Sequence, residues 1–390
     1  MLKKIGRFAL LILIYVIVIA VLLEGGLRLL APNLPGQIGV AARYVVTGQP
    51  YSQSWEPAWQ RSSEHFYALK PGIDDEVQYG SPTVSFHVST IELWEGGGIG
   101  FRTDPVDFAP DAVVVGDSFG FCFTERVDCW VDLLASETGR KLVNLSQPVT
   151  GTVSHGRVLA DFGAPLEPPL VLWQFFGNDF NDDYGLAVSN DEIEDVTADD
   201  SASTEADTSL GGWLRHNSAA YAVIETLFTG LYLGTPESEA LYIKPLTATY
   251  GPNNEYVLQF GGEYEQGALD MSLEQNQIGL ELTRKAFEDA QALVAGWDGE
   301  IVVIIMPTRE EVYANITEPV MGREAIDKLA SARLTMLDLC DELSLRCYDP
   351  TEDFIEHAQA GEALYHSDDM HLNPHGNAVL AELLQAWMGW

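Results

Sequence analysis

Five short apolar runs, at residues 112–115, 141–145, 170–176, 301–306 and 345–349, alternate with stretches of helical periodicity near 129–139, 154–162, 272–296, 322–342 and 374–388. Runs this short are strands. When both faces of a strand are apolar, both must be covered, and helices in crossover connections do that. The pattern therefore predicts an α/β fold with a parallel, doubly wound sheet of about five strands. Two helices carry start signals: Ser272 with Gln275 reads as a capping box, and Asn373-Pro374 as a cap followed by a first-turn proline. Residues 32–60, with Pro32, Pro35, Gly36, Gly39, Gly48 and Pro50, read as an irregular linker. Residues 83–94 alternate as a strand or hairpin. An insertion at about 180–270 separates the third strand from the fourth. Its acidic stretch, 191–207, predicts a mobile loop, followed by a helix at 213–228 and a hairpin around 242–260. The expected organisation is thus 1–31, 32–97, and a main domain 98–390 carrying the insertion.

A net charge of −37 with only 21 Lys and Arg excludes a nucleic-acid partner, because counterion release needs a basic surface. The N-terminus departs from this acidic background. Lys3, Lys4 and Arg7 precede sixteen uninterrupted apolar residues, 8–23, which 25–31 extend past Glu24 to the length of about 20 that a transmembrane helix needs. The expected partner of this helix is a bacterial inner membrane, with the rest of the chain outside it. A cleaved signal peptide is the competing reading. Four cysteines fall into two pairs, Cys122 with Cys129 and Cys340 with Cys347, each seven residues apart. In an oxidising compartment these separations favour two local disulfides over the other connectivities, and neither pair has zinc-site spacing.

The chemistry centres on Gly116-Asp117-Ser118-Phe119-Gly120, directly after the first apolar run, and on Asp368-Asp369-Met370-His371 before the last helix. A serine hydroxyl is a weak nucleophile until a base takes its proton, and a histidine oriented by a carboxylate supplies that base. Read as G-x-S-x-G, the first block fits the nucleophile elbow of α/β-hydrolases, but there several strands precede the serine. Here the serine follows the first parallel strand, and the acid and histidine stand three residues apart. Two further blocks sit after the second and third strands: Asn144-Leu145-Ser146-Gln147-Pro148-Val149-Thr150-Gly151-Thr152 and Phe176-Gly177-Asn178-Asp179. With these four blocks in order, the chain resembles the SGNH/GDSL hydrolase family over about 98–182 and 300–385. Gly100-Phe101-Arg102 and Met306-Pro307-Thr308-Arg309 are similar to its membrane-anchored bacterial members.

The resemblance implies a flavodoxin-like sheet, a catalytic triad of Ser118, His371 and Asp368, and no cofactor or metal. It also implies an oxyanion hole built from the Ser118 backbone, a second backbone donor and the Asn178 side chain. The family's oxyanion glycine falls in register with Val149, whereas a glycine stands at Gly151, so both are candidates for the second donor. In the order 2-1-3-4-5 the loops after the first three strands meet at the carboxyl edge of the sheet, which brings these blocks together on physical grounds as well. The expected substrate is an acyl ester on a carbohydrate or a lipid-like molecule. O-acyl transfer to an envelope polysaccharide and a non-catalytic binding module on the same scaffold are the alternatives, and the oligomeric state stays open. A metal site at Asp368, Asp369, His371 and His375 competes with the triad.

Overall fold

The computed structural model describes residues 2–31, 34, 36–47, 59–79, 84–197, 209–229, 245–367 and 369–390. The chain divides into two compact units. One comprises Met1–Ser52, Gly80–Thr83 and Asp200–Ala240; the other comprises Gln53–Tyr79, Val84–Asp199 and Leu241–Trp390.

In the larger unit the five apolar runs form β1 (Ala112–Val115), β2 (Leu142–Asn144), β3 (Leu170–Phe175), β4 (Glu300–Ile305) and β5 (Arg346–Tyr348). They pair in parallel in the order β5-β4-β3-β1-β2, the flavodoxin-like arrangement expected from the sequence. Every residue of β1 and β3 is buried, which is why these strands read as continuous apolar runs. Each buried Val or Leu side chain contributes about 1.5–3 kcal/mol relative to exposure. The helix Trp130–Thr138 packs against Pro374–Met388, while Glu274–Val294 packs against Thr152–Val158 and Asp179–Ser189. The chain leaves β1 toward β2 and later returns on the other side as β3. This creates a switch point where the loops after all three strands converge.

Local signals mostly held. Asn373 caps Pro374–Met388, its Oδ1 accepting from Gly376 N–H at 2.9 Å. The expected capping box at Ser272 and Gln275 does not form. The helix begins at Glu274, and Ser272 donates through both its hydroxyl (2.6 Å) and its N–H (2.9 Å) to Asp270 Oδ1. A carboxylate two residues back is the nearer and stronger acceptor. Three antiparallel hairpins flank the sheet: Trp59–Ser62 with Phe66–Leu69, Asp74–Tyr79 with Val84–Ser89, and Leu246–Tyr250 with Tyr256–Phe260. The first was not anticipated from the sequence. Both local disulfides are present, with Cα–Cα separations of 5.6 Å for Cys122–Cys129 and 6.3 Å for Cys340–Cys347. Most of the acidic stretch, 198–207, lies outside the described residues.

The smaller unit is helical: Leu2–Leu30, Gly36–Thr47, Leu210–Asn217 and Ala219–Thr229. Its second helix occupies what reads in sequence as an irregular linker. Ile38, Ala41, Ala42 and Val45 form an i, i+3, i+4, i+7 stripe that the flanking prolines obscure. Ala41 and Ala42 are fully buried with Ala222 and Val223. The helix expected at 213–228 is two helices, broken at Ser218. Glu24, the charge that interrupts the N-terminal apolar run, accepts from Ser218 Oγ (2.8 Å), Ala219 N–H (3.1 Å) and Ala220 N–H (2.9 Å), and so satisfies the start of Ala219–Thr229. Among the described residues no helix is long and apolar enough to cross a membrane, in contrast to the spanning length read from residues 8–31.

Candidate active site

The turn after β1 is built from buried polar groups. Ser118 opens the short helix Ser118–Phe121 directly after β1, and Asp117 caps it, its Oδ1 accepting from Phe119 N–H at 2.8 Å. Gln174, the only polar residue in β3, reaches under the turn. Its Oε1 accepts from Asp117 N–H at 2.9 Å and Gly120 N–H at 3.1 Å. Asn144 Nδ2 donates to Gly120 O at 2.8 Å, and Trp130 Nε1 to Phe119 O at 3.0 Å. Gly120 is required by close approach, because a Cβ there would stand 2.1 Å from Ser146 Oγ. Arg102, fully enclosed, donates to the carbonyls of His87 (2.9 Å), Phe121 (3.1 Å), Cys122 (2.8 Å) and Thr124 (2.6 Å). It thereby ties down the loop that the Cys122–Cys129 disulfide closes.

Ser118 Oγ lies 2.7 Å from His371 Nε2. The other ring nitrogen, Nδ1, makes a short contact with Asp369 Oδ1, which also accepts from His371 N–H at 2.8 Å. Ser118, His371 and Asp369 are 7, 5 and 8% exposed, so the three side chains are largely screened from bulk water. The rings of Phe119 and Phe123 flank the imidazole at centroid distances of 5.0 and 4.4 Å. Burial pushes the Asp369 carboxyl up, but the charge and hydrogen bonds of His371 outweigh it and hold the group below the usual carboxylate range.

The sequence placed the acid at Asp368. That residue lies outside the described residues, and the carboxylate on His371 Nδ1 belongs to Asp369. An Asx-type turn explains this placement: an Asp two residues before the histidine can accept from both the backbone and the ring of the same residue. The metal alternative is not what the geometry shows. His371 spends both ring nitrogens on Ser118 and Asp369, and His375 Nε2 turns to Glu362 at 2.6 Å.

Val149, not Gly151, has the left-handed backbone, at φ 59°. A β-branched residue held there costs about 1–3 kcal/mol, which packing must offset. Its side chain rests on the cluster of Leu69, Phe86, Phe121 and Phe123. This is the position in register with the family's glycine, and a positive φ is the physical reason a glycine suits it. Gly151 is extended at φ −105° and is needed for packing, since a Cβ would stand 2.4 Å from Asp183 Oδ1 and 2.6 Å from Asp179 O.

Asn178 follows β3 and heads the helix Asp179–Ser189. Its Nδ2 donates to Asp182 Oδ2 at 2.9 Å and contacts Tyr264 Oη at 3.2 Å. Tyr264 Oη also lies 3.1 Å from Asp182 Oδ1. The same helix buries three carboxyls. Asp179 receives the Thr152 hydroxyl at 2.7 Å, and Asp183 receives Val153 N–H (2.8 Å) and the Thr283 hydroxyl (2.6 Å). Burial raises Asp182 to about 7 and Asp183 to about 8, and lifts Asp179 well above its ordinary value. Burial likewise raises Asp117 to about 6, against the pull of Phe119 N–H and His371, and lowers His155 to about 3. Arg309, from the Met306-Pro307-Thr308-Arg309 block, is buried against Glu265 (3.1 Å) and Glu310 (3.3 Å).

Sequence reasoning missed Gln174, Asp182 and Tyr264. A lone glutamine inside the run 170–175 was a legible signal. Nothing local marks a tyrosine about 90 residues beyond the asparagine it meets.

No family model matches the chain, and no curated protein matches it. Among solved structures it is similar to an acetyl xylan esterase at 10% identity and a TM-score of 0.38, covering 71% of this chain and 98% of that one. A lipolytic protein of the G-D-S-L family from Desulfitobacterium hafniense matches at 11% and 0.36, over 70% and 97% of the two chains. A GDSL-like lipase from Parabacteroides merdae matches at 13% and 0.38, over 73% and 98%. The neighbours are esterases and lipases. Likenesses this distant carry no argument, and the activity proposed below rests on this chain's own geometry.

Proposed function

We propose that this protein is a serine hydrolase acting on ester bonds, with Ser118 as nucleophile, His371 as base and Asp369 as its orienting carboxylate. The observation that carries the reading is the 2.7 Å contact between Ser118 Oγ and His371 Nε2, with Asp369 on the opposite ring nitrogen. Asp369 fixes the tautomer in which Nε2 is unprotonated and stabilises the imidazolium formed when Ser118 loses its proton. Ser118 Oγ then bonds to the acyl carbon, and the carbonyl oxygen becomes an oxyanion. The backbone N–H groups of Ser118 and of the Val149 turn, with the Asn178 amide, are its donors, each worth about 3 kcal/mol. His371 passes its proton to the departing alkoxide. In the second half it takes a proton from water, which attacks the acyl-serine and releases the acid.

The proposed substrates are O-acyl groups of a carbohydrate or lipid-like esters, reached outside the inner membrane. Two disulfides support an oxidising compartment. Attachment through Leu2–Leu30 belongs to the same proposal; it is supported by Lys3, Lys4 and Arg7 ahead of an apolar run whose Leu11, Tyr15, Val18 and Leu22 are exposed. Hydrolysis of short-chain p-nitrophenyl esters, compared between the wild type and Ser118→Ala, tests the chemistry. Turnover that survives in the alanine variant would exclude Ser118. Recovery of the protein in the wash after alkaline extraction of membranes would exclude the anchor.

A further inference from the structure

We propose that the insertion supplies a catalytic positioning residue: Tyr264, acting with Asp182 to hold the amide of Asn178 toward the reacting carbonyl. This rests on the hydrolase reading above and extends it to a segment outside the four motif blocks.

Three polar groups meet in one place. Asn178 Nδ2 is 2.9 Å from Asp182 Oδ2 and 3.2 Å from Tyr264 Oη, and Tyr264 Oη is 3.1 Å from Asp182 Oδ1. Asn178 and Asp182 are each 5% exposed, whereas Tyr264 is 37% exposed and reaches the pair with its hydroxyl. Asp182 follows Asn178 by one helical turn and uses one oxygen for each partner. A carboxyl bonded through only one oxygen can still rotate about its terminal bond; the tyrosine holds the second oxygen and fixes that rotation. On this assignment one amide N–H serves the adjacent carboxyl and hydroxyl, and the other is left for the oxyanion. Asn178 Oδ1, buried and without a hydrogen-bond partner among the described residues, leaves the amide no other tether.

The helix that delivers Tyr264, Glu263–Ala268, is itself fastened. Glu265, the next residue, accepts from Arg309 Nη2 at 3.1 Å, and Gln266 Nε2 donates to Gly261 O at 3.1 Å. Tyr264 is therefore presented by a braced segment and not by a free loop tip. That is what preorganisation of an oxyanion donor requires, since a donor that must be ordered during the reaction loses most of its advantage.

The test is a double-mutant cycle on the full chain with a short-chain p-nitrophenyl ester. Tyr264→Phe, which removes one oxygen and keeps the ring, should lower kcat about tenfold with KM changed less than twofold, the mark of an interaction made in the transition state. Asn178→Ala should lower kcat about 100-fold. In the Asn178→Ala background, Tyr264→Phe should have no further effect, because the hydroxyl acts through the amide. Additive losses, a change confined to KM, or an unchanged kcat in Tyr264→Phe would overturn the assignment while leaving the hydrolase reading intact. Activity that does not depend on Ser118 would remove both. Thermal unfolding of each variant separates a loss of fold from a loss of alignment.

Discussion

The two sides of the candidate site are built by opposite means. Around Ser118 the backbone of the turn is held at three points by Gln174 and Asn144, the buried Asp117 caps it, and the carboxylate kept ionised is Asp369, stabilised by His371. Around Asn178 the helix Asp179–Ser189 buries three carboxyls with no cation bonded to them among the described residues, and burial favours their neutral forms. On the Ser118 side the hydrogen bonds and charge of His371 thus outweigh burial at Asp369, while burial prevails at Asp117. The Asn178 side, with three carboxyls raised by desolvation against the single Asp117 on the other, is the side whose ionisation a change in pH alters most.

Substitutions on the nucleophile side should cost most. Ser118→Ala and His371→Ala should each lower kcat/KM by about 10⁴-fold or more, measured as ester hydrolysis. Asp369→Asn should follow at about 10³- to 10⁴-fold, because the wrong tautomer is then favoured. Asp368→Asn should stay within about threefold if Asp369 holds the ring; the reverse ranking would restore the spacing first read from the sequence. Gln174→Ala leaves two buried N–H groups without an acceptor and should lower stability by about 2–3 kcal/mol, read from chemical denaturation.

On the oxyanion side the expected effect is smaller and depends on pH. A buried carboxyl raised from the ordinary 3.8 to about 7 or 8 binds a proton in the folded state that the unfolded chain has released. Its contribution to stability is complete below the ordinary value and is lost as pH rises through the raised one. Melting temperature should therefore decline between about pH 4 and pH 8, and Asp183→Asn, a neutral isostere, should flatten that decline. Asp369 has the opposite sign: its depressed value gives stability that is lost only in strong acid. A melting temperature that rises steadily from pH 5 to pH 8 would break the contrast between the two sides.

The contrast also marks how far the sequence could be read. Strand positions and their order followed from apolar runs, because a strand buried on both faces has no alternative pattern. Ser118 and Asn178 were singled out by their places after the first and third strands, and His371 by its place before the last helix; the structure puts His371 Nε2 2.7 Å from Ser118 Oγ. What escaped was set by contacts distant in the chain or by backbone conformation. Tyr264 meets Asn178 across the insertion, and the helix Gly36–Thr47 is stabilised by Ala222 and Val223, far away in sequence. The carboxylate on the imidazole is that of Asp369, one residue from the acid read in the sequence, because an Asx-type turn lets it accept from both the backbone and the ring of His371. Val149 looked like a defect beside Gly151, yet its φ of 59° identifies it as the residue in the special conformation.

The central claim is that Ser118 is an activated nucleophile. Intact-mass and peptide mass spectrometry of the folded protein after exposure to a serine-reactive fluorophosphonate tests it most directly. The account predicts one adduct, on the peptide containing Ser118, absent in His371→Ala. A folded protein that takes up no adduct, or takes it up on another residue, would contradict it.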